Sequence, residues 1–168
     1  MFILGHIGIT LAVFFLASLA IPSLKRHLNY RFIALGALLP DLIDKPVGRI
    51  FFEDIFASGR IFAHTLVFVI VILIAGYVYF RQRGDSRILL VAGASFLHLL
   101  EDRMWMTPQT FFWPVFGWEF AQGNSYGSFL EYFMNIVKHV YSPDFSFGLI
   151  SEVIGLLIVL FIVYKHRN

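Results

Sequence analysis

Apolar residues occur in long runs along this chain, separated by short polar segments. A helix that crosses the hydrocarbon core of a bilayer needs about 20 such residues, or fewer where the helix is short or the membrane is thin. Five runs approach this length, at 2–21, 32–43, 61–80, 88–100 and 147–164. The second and fourth runs are short and end in acidic residues. The pattern predicts an all-α integral membrane protein of about five transmembrane helices, two of them short.

A long segment between the fourth and fifth runs, residues 103–146, is rich in phenylalanine, tyrosine and tryptophan. Amphipathic aromatic rings favour the headgroup layer, so this segment is expected to be re-entrant or to lie on the membrane surface. Residues 49–56 are a second candidate for the interface. No internal repeat divides the chain, which predicts a single membrane-embedded domain over residues 1–168.

Composition and charge exclude several classes of protein. The chain is 58% hydrophobic and only 14% charged, too little polar surface for a soluble domain of 168 residues. Its net charge is +2 and the basic residues lie in short clusters, so no nucleic-acid partner is expected. Cysteine is absent, which excludes disulfides, thiolate metal ligands and a cysteine nucleophile.

Basic residues predict the orientation of the chain. Residues 18–20 resemble a signal-peptide cleavage site, but no positive charge precedes the first apolar run, so we expect an uncleaved span. With five spans, three places on one side hold eight of the thirteen basic residues and a single acidic residue, Asp85. The eight are Lys25, Arg26, Arg31, Arg81, Arg83, Arg87, Lys165 and Arg167. The positive-inside rule predicts a cell (inner) membrane protein with an outer N-terminus and a cytoplasmic C-terminus.

Ionisable residues inside the predicted spans gather toward the outer side. A central charge costs about 2.5 to 3.5 kcal/mol on insertion, so each such residue requires a reason. Four of the helical positions lie 10 to 17 residues from the nearest cytoplasmic basic residue, or about 15 to 26 Å. This depth is the outer half of a core about 30 Å thick. The residues concerned are His6, Asp41, Asp44, His64, His98, Asp102 and Glu152.

Spacing and side-chain chemistry favour a metal site among these residues. Asp41 and Asp44 share one helical face, as do His98 and Asp102, because residues three or four apart are neighbours on a helix. Imidazole and carboxylate ligands suit zinc, and also manganese or iron, and several carboxylates could hold a second ion. We therefore expect a divalent metal, with zinc first and one ion more readily held than two.

Each residue also has a structural interpretation when taken alone. A histidine on an apolar helix is more often a hydrogen-bonded core residue than a ligand, and the two aspartates beside Pro40 would suit a helix end. Glu152 fits equally the surroundings of the site and the start of the last helix. The histidines expected at the surface are His27, His139 and His166.

Several motifs resemble a family of LexA-regulated inner-membrane proteins regarded as membrane-bound metal-dependent hydrolases. The similarity covers most of the chain. Its motifs are GHIG from Gly5, GALLPDLID from Gly36, the segment 60–65 with AHT from Ala63, HLLED from His98 and FWP from Phe112.

The resemblance implies metal binding at matching positions and hydrolase chemistry similar to that of zinc-dependent phospholipases C. The metal positions that it implies are His6, Asp41, Asp44, His64, His98 and Asp102. The family pattern has a further histidine where this chain has Gly59, which bears on a second ion.

The leading hypothesis is metal-assisted hydrolysis of a lipid-borne ester, most plausibly a phosphoester, at the outer membrane face, with a membrane lipid as substrate. Asp44 or Glu101 would act as general base, and Arg60, four residues before His64, would contact phosphate. Arg60 would otherwise extend to the interface. The alternatives are a small carrier or a metal- or proton-binding protein without hydrolase activity, and a non-catalytic lipid-binding or assembly protein.

Overall fold

The computed structural model describes residues 2–123, 126, 129–140 and 147–167, and the regular elements within them are all helical. Short 3-10 helices occur at Pro22–His27 and Met104–Met106, and a π-helical turn at Val47–Phe51. This confirms the predicted all-α fold. The α-helices are α1 (Ile3–Ala20), α2 (Tyr30–Pro46), α3 (Glu53–Phe56), α4 (Leu66–Arg83), α5 (Arg87–Glu101), α6 (Pro108–Phe111), α7 (Phe129–Val140) and α8 (Phe147–Arg167).

Three of the described helices are long and apolar enough to cross a membrane. These are α1, α4 and α8, with mean hydropathies of 2.1, 1.7 and 2.1 over 18 residues. The predicted short spans, α2 and α5, have 17 and 15 residues, or about 26 and 23 Å of helix. Three of the five predicted spans are thus confirmed by length and composition, while a full crossing by α2 and α5 stays a prediction.

The two short helices lie at the centre of the bundle. α2 packs against α1 and α5, α4 packs against α5, and α8 packs against α1. Seven of the 15 residues of α5 are buried, whereas α4 buries only Val69 and Gly76 and exposes most of its other apolar side chains. An apolar outer surface of this kind is what a lipid environment stabilises. The central core consists of Leu11, Ile33, Leu90, Ala94 and Ile162.

Glycines allow these helices to approach closely. A Cβ atom on Gly8 would lie 2.3 Å from the Cα atom of Gly155, and one on Gly36 would lie 2.5 Å from the Val91 carbonyl oxygen. Helices in lipid gain little from burial of apolar surface against each other, so they associate through close packing at small residues. The glycines therefore fix the α1–α8 and α2–α5 contacts.

Helix ends bring the histidines to one end of the bundle. The Thr65 side chain accepts a hydrogen bond of 3.1 Å from the Phe68 backbone N–H and so begins α4 directly after His64. Gly84, with φ of 68°, ends α4 in the left-handed conformation that glycine adopts without strain. The short connection to α5 reverses the chain, and His98 returns to the level of His64.

The aromatic segment packs over this same end. Met104 and Phe111 are buried against Leu99 and Val69. Beyond them, Phe62, Trp113 and Phe120 form mutual ring contacts with centroids 4.9 to 5.9 Å apart. The predicted interfacial position of the segment agrees with its exposed rings, although its depth in a membrane stays a prediction. Residues 124–125, 127–128 and 141–146 lie outside the described residues, as do the side chains of His139 and His166.

Candidate metal centre

Asp44 holds the segment that carries His64. Its carboxylate accepts hydrogen bonds from the backbone N–H groups of Ile61, Ala63 and His64, at 2.8, 2.9 and 3.0 Å. The same carboxylate lies 2.7 Å from His64 Nδ1. All these groups are buried. Asp44 thereby fixes both the backbone and the ring of His64, and directs Nε2 away from itself.

His98 is oriented by a backbone carbonyl of the neighbouring helix. Its Nδ1 lies 2.7 Å from the carbonyl oxygen of Ala37 on α2. A carbonyl oxygen only accepts hydrogen bonds, so Nδ1 carries the proton and Nε2 presents a lone pair. Ser95, one turn earlier on α5, donates to the Gly36 carbonyl oxygen at 3.0 Å and holds the two helices in register.

His6 repeats this arrangement from α1. Its Nδ1 lies 2.7 Å from Glu101 Oε2, while the Thr10 hydroxyl donates to Glu101 Oε1 at 2.9 Å. The His6 ring stacks on the His98 ring with centroids 4.1 Å apart. Three imidazoles from three parts of the chain thus have Nδ1 held by an outer acceptor and Nε2 turned inward. Outer acceptors of this kind orient metal-binding histidines.

Two aspartates complete the inward-facing donor set. His64 Nε2 lies 3.3 Å from His98 Nε2, and these atoms lie 3.6 and 3.8 Å from Asp41 Oδ1. Two ligands of one tetrahedral zinc ion at 2.0 to 2.1 Å are about 3.3 to 3.4 Å apart, close to these separations. A second group of donors joins His98 to His6 and Asp102. His6 Nε2 is 3.2 Å from Asp102 Oδ1.

The donors fit a cation better than they fit one another. Among the described residues, the buried His6 Nε2 has no hydrogen-bond partner, although Asp102 Oδ1 lies 3.2 Å away. With Nδ1 protonated on each ring, the facing Nε2 and carboxylate atoms are all acceptors, which repel unless a proton or a metal ion lies among them. Four carboxylates and three cationic side chains also leave net negative charge here, which a bound cation would offset. These groups are Asp41, Asp44, Glu101 and Asp102, with Lys45, Arg49 and Arg60.

A cleft of about 340 Å³ opens over this donor set. Asp41 and Asp102 line it together with Lys45, Arg49 and Arg60. Lys45 Nζ lies 2.5 Å from Asp41 Oδ2, and an Arg60 guanidinium nitrogen lies 2.7 Å from Asp102 Oδ2. The cleft therefore has carboxylates at its base and three cations on its walls.

Lys45 and Arg49 are not among the predicted site residues, although the sequence contains a signal for them. Both follow Asp41 at intervals of four residues, which places all three on one side of a continuing helix. α2 does continue, as the π-helical turn Val47–Phe51. Tyr132 of α7 also lines the cleft, and the Arg49 guanidinium lies 5.5 Å from its ring centroid. Nothing in the sequence around Tyr132 indicates this contact.

The structure brings most of the predicted site residues together, and it separates those that face the common centre from those that orient imidazoles or line the cleft. Asp44 is predicted both as a ligand and as a base, and Glu101 is predicted as a base. In the structure, both oxygens of each carboxylate are bonded to protein groups, and the two carboxylates orient imidazoles. Arg60 lines the cleft as expected for a phosphate contact. The residues with donors facing the common centre are His6, Asp41, His64, His98 and Asp102.

Glu152 and His27 lie away from the donor set. The Glu152 carboxylate accepts from the backbone N–H groups of Leu4 and Gly5, at 3.1 and 2.8 Å. It supports the start of α1 immediately before His6 and contacts the site only through that backbone. His27 is half-buried beside Phe80, at the other end of the bundle.

These features define a helical integral membrane protein with a candidate metal centre at one end of its bundle. The chain belongs to the YdjM inner membrane protein family, whose profile matches residues 1–168. The match confirms both the resemblance to an inner-membrane family and the membrane location. Comparison with curated proteins and with solved structures gave no match.

Proposed function

We propose that this protein is a membrane-embedded metal-dependent hydrolase of a lipid-borne phosphoester. The observation that carries the proposal is the position of the donor set directly beneath a cationic cleft. Donors alone would suit a structural metal, and cations alone would suit an anion-binding surface. Asp41 and Asp102 belong both to the donor set and to the lining of the cleft, so a bound phosphate group would lie next to the metal position.

Zinc is the proposed metal, with manganese or iron as alternatives for a nitrogen and oxygen donor set. An imidazole Nε2 has a single lone pair, so His98 can serve only one of the two donor groups at a time. Asp41, His64 and His98 provide a complete set for one ion. A second ion would then have only His6 and Asp102 as ligands. The further histidine of the family pattern is replaced by Gly59 in this chain. One ion is therefore the expected occupancy.

The chain's own residues support phosphoester chemistry in distinct ways. A bound divalent ion would lower the pKa of its water toward about 7 and polarise a phosphoryl oxygen. Arg60 and Arg49 are suited to bidentate contacts with phosphate oxygens, and Lys45 adds a third charge. Asp102 borders both the donors and the cleft, so we assign it to accept the proton of the attacking water.

A membrane lipid is the proposed substrate because of the surroundings of the cleft. The aromatic rings of Phe62, Trp113 and Phe120 adjoin this end of the bundle, and the outward faces of α1, α4 and α8 are apolar. By the positive-inside rule, the basic residues at the opposite helix ends favour an outer position for the cleft. A headgroup phosphate would enter from that leaflet.

A membrane carrier or metal-binding protein without hydrolase activity is the second candidate. A transport path needs polar groups at several depths. In the part of the chain that the structure describes, no ionisable side chain is buried in the core beyond the site, where Leu11, Ile33 and Leu90 pack along the bundle. The same set of donors would be surplus in a lipid-binding or assembly protein. Both points favour the hydrolase.

Metal content and lipid turnover test the proposal. Purified protein should contain about one divalent ion per chain by elemental analysis, and His98→Ala should lose it. His27→Ala, which removes a histidine at the other end, is the matched control and should retain the ion. Wild type without a divalent ion would contradict the metal centre.

The hydrolase proposal needs a separate measurement on a panel of phospholipids and lipid phosphates. Wild type should release headgroup or phosphate, and Asp102→Asn should lower the rate at least about 100-fold, the smallest effect typical of a general base. Metal content of this variant is measured in parallel, because a loss of metal would leave its role as a base unsupported. A metal-loaded wild type that cleaves no member of the panel would refute this substrate class.

A further inference from the structure

A second cavity lies at the end of the bundle opposite the candidate metal centre. It has a volume of about 310 Å³ and is formed where α1 and α8 end and α2 begins. The wall is largely apolar and two lysines lie at its rim. The apolar wall residues are Phe15, Leu19, Leu28 and Ile162, the hydroxyl-bearing residues Ser18 and Tyr30 also line the cavity, and the lysines are Lys25 and Lys165.

The two lysines bring positive charge to this apolar wall. Lys165 Nζ lies 4.6 Å from the ring centroid of Phe15, and Lys25 is exposed. Within the described residues, neither ammonium group has a carboxylate within 4.0 Å. The acidic residue of this end, Asp85, is bound by the Arg87 guanidinium. The cavity therefore attracts an anion that also has an apolar part.

We propose that this cavity binds one anionic phospholipid, with its phosphate between Lys25 and Lys165 and an acyl chain against the apolar wall. Basic pockets between transmembrane helices bind anionic headgroups in this manner. The cavity wall continues into the exposed apolar surface of α1, where Leu16 and Leu19 are 60% and 51% exposed. A lipid would cover that surface, whereas a free phosphate ion would not contact it. The site shares no residue with the candidate metal centre.

Native mass spectrometry of the full-length protein in detergent tests this site. The protein is titrated with phosphatidylglycerol and with phosphatidylcholine of the same acyl chains. Wild type should retain one phosphatidylglycerol more tightly than any phosphatidylcholine. Lys25→Gln with Lys165→Gln should weaken that binding about 30-fold, from the attraction typical of two basic residues near an anionic lipid.

Arg81→Gln with Arg83→Gln is the matched control, because it removes the same charge from the same end outside the cavity. This pair should leave the tight phosphatidylglycerol site within about threefold of wild type, a small change in free energy. Equal weakening by both double variants would overturn the proposal in favour of diffuse attraction. Equally tight phosphatidylcholine binding would overturn the role of the lysines. Displacement of the lipid by excess inorganic phosphate would overturn the lipid as occupant.

Discussion

Asp41 and Asp44 are the same residue type three positions apart, yet their different partners in the structure predict different contributions to stability. Asp44 accepts three backbone N–H groups and faces His64 Nδ1, all buried. Each buried donor left without a partner costs about 1 to 3 kcal/mol. Asp44→Asn keeps the shape and one acceptor oxygen but turns an NH₂ group toward at least one donor. We expect it to lower the free energy of unfolding by about 2 to 4 kcal/mol.

Asp41 has a different set of partners. It is bonded to Lys45, which is 32% exposed, and otherwise faces the imidazoles of the donor set. A partly exposed pair of this kind contributes about 1 kcal/mol or less. Asp41→Asn should therefore change the stability of metal-free protein by no more than about 1 kcal/mol, while it removes one of the proposed metal ligands.

The assay compares the two variants with and without metal. Unfolding in detergent is followed by circular dichroism on chelator-treated protein, and metal content is measured on untreated protein. Asp44→Asn should lose stability even without metal, whereas Asp41→Asn should lose metal and little stability. Equal destabilisation of the two metal-free variants would refute the assignment of Asp44 as the structural anchor and Asp41 as the ligand.

Three further substitutions test other parts of the structure. Gly155→Leu should weaken the α1–α8 contact by about 1 to 3 kcal/mol, because a Cβ atom would lie 2.1 Å from the Leu4 carbonyl oxygen. Thermal unfolding is the measurement, with Gly93→Ala as the control. An equal effect of the two substitutions would contradict the close approach of α1 and α8. Arg60→Gln should raise KM for a phosphoester at least about tenfold while metal is retained, given the typical strength of a charged hydrogen bond; an unchanged KM would count against a phosphate contact. Glu152→Gln should speed amide hydrogen exchange at the start of α1, since it weakens two hydrogen bonds to a buried carboxylate. Unchanged exchange at these amides would show that the carboxylate is dispensable.

The sequence by itself determined the helical membrane fold and the chemistry available to it. Long apolar runs form helices in lipid because every backbone polar group must be bonded within the segment. Charged and imidazole side chains in such runs are costly, so their coincidence near one end predicted a shared site before any contact was known. Spacing also predicts that His98 and Asp102 lie on one side at the end of α5, and in the structure their donor atoms belong to one group.

Only the tertiary structure decided which group has which role. Whether Asp44 binds a metal or anchors a backbone depends on the segment 61–64, which lies 17 to 20 residues further along the chain. The direction of each imidazole depends on acceptors from other helices, such as the Ala37 carbonyl oxygen for His98. Tyr132 reaches the cleft only because α7 folds over it. Local periodicity fixes the face of a helix on which a side chain lies. The partner of that side chain, and hence its chemistry, is set by long-range packing.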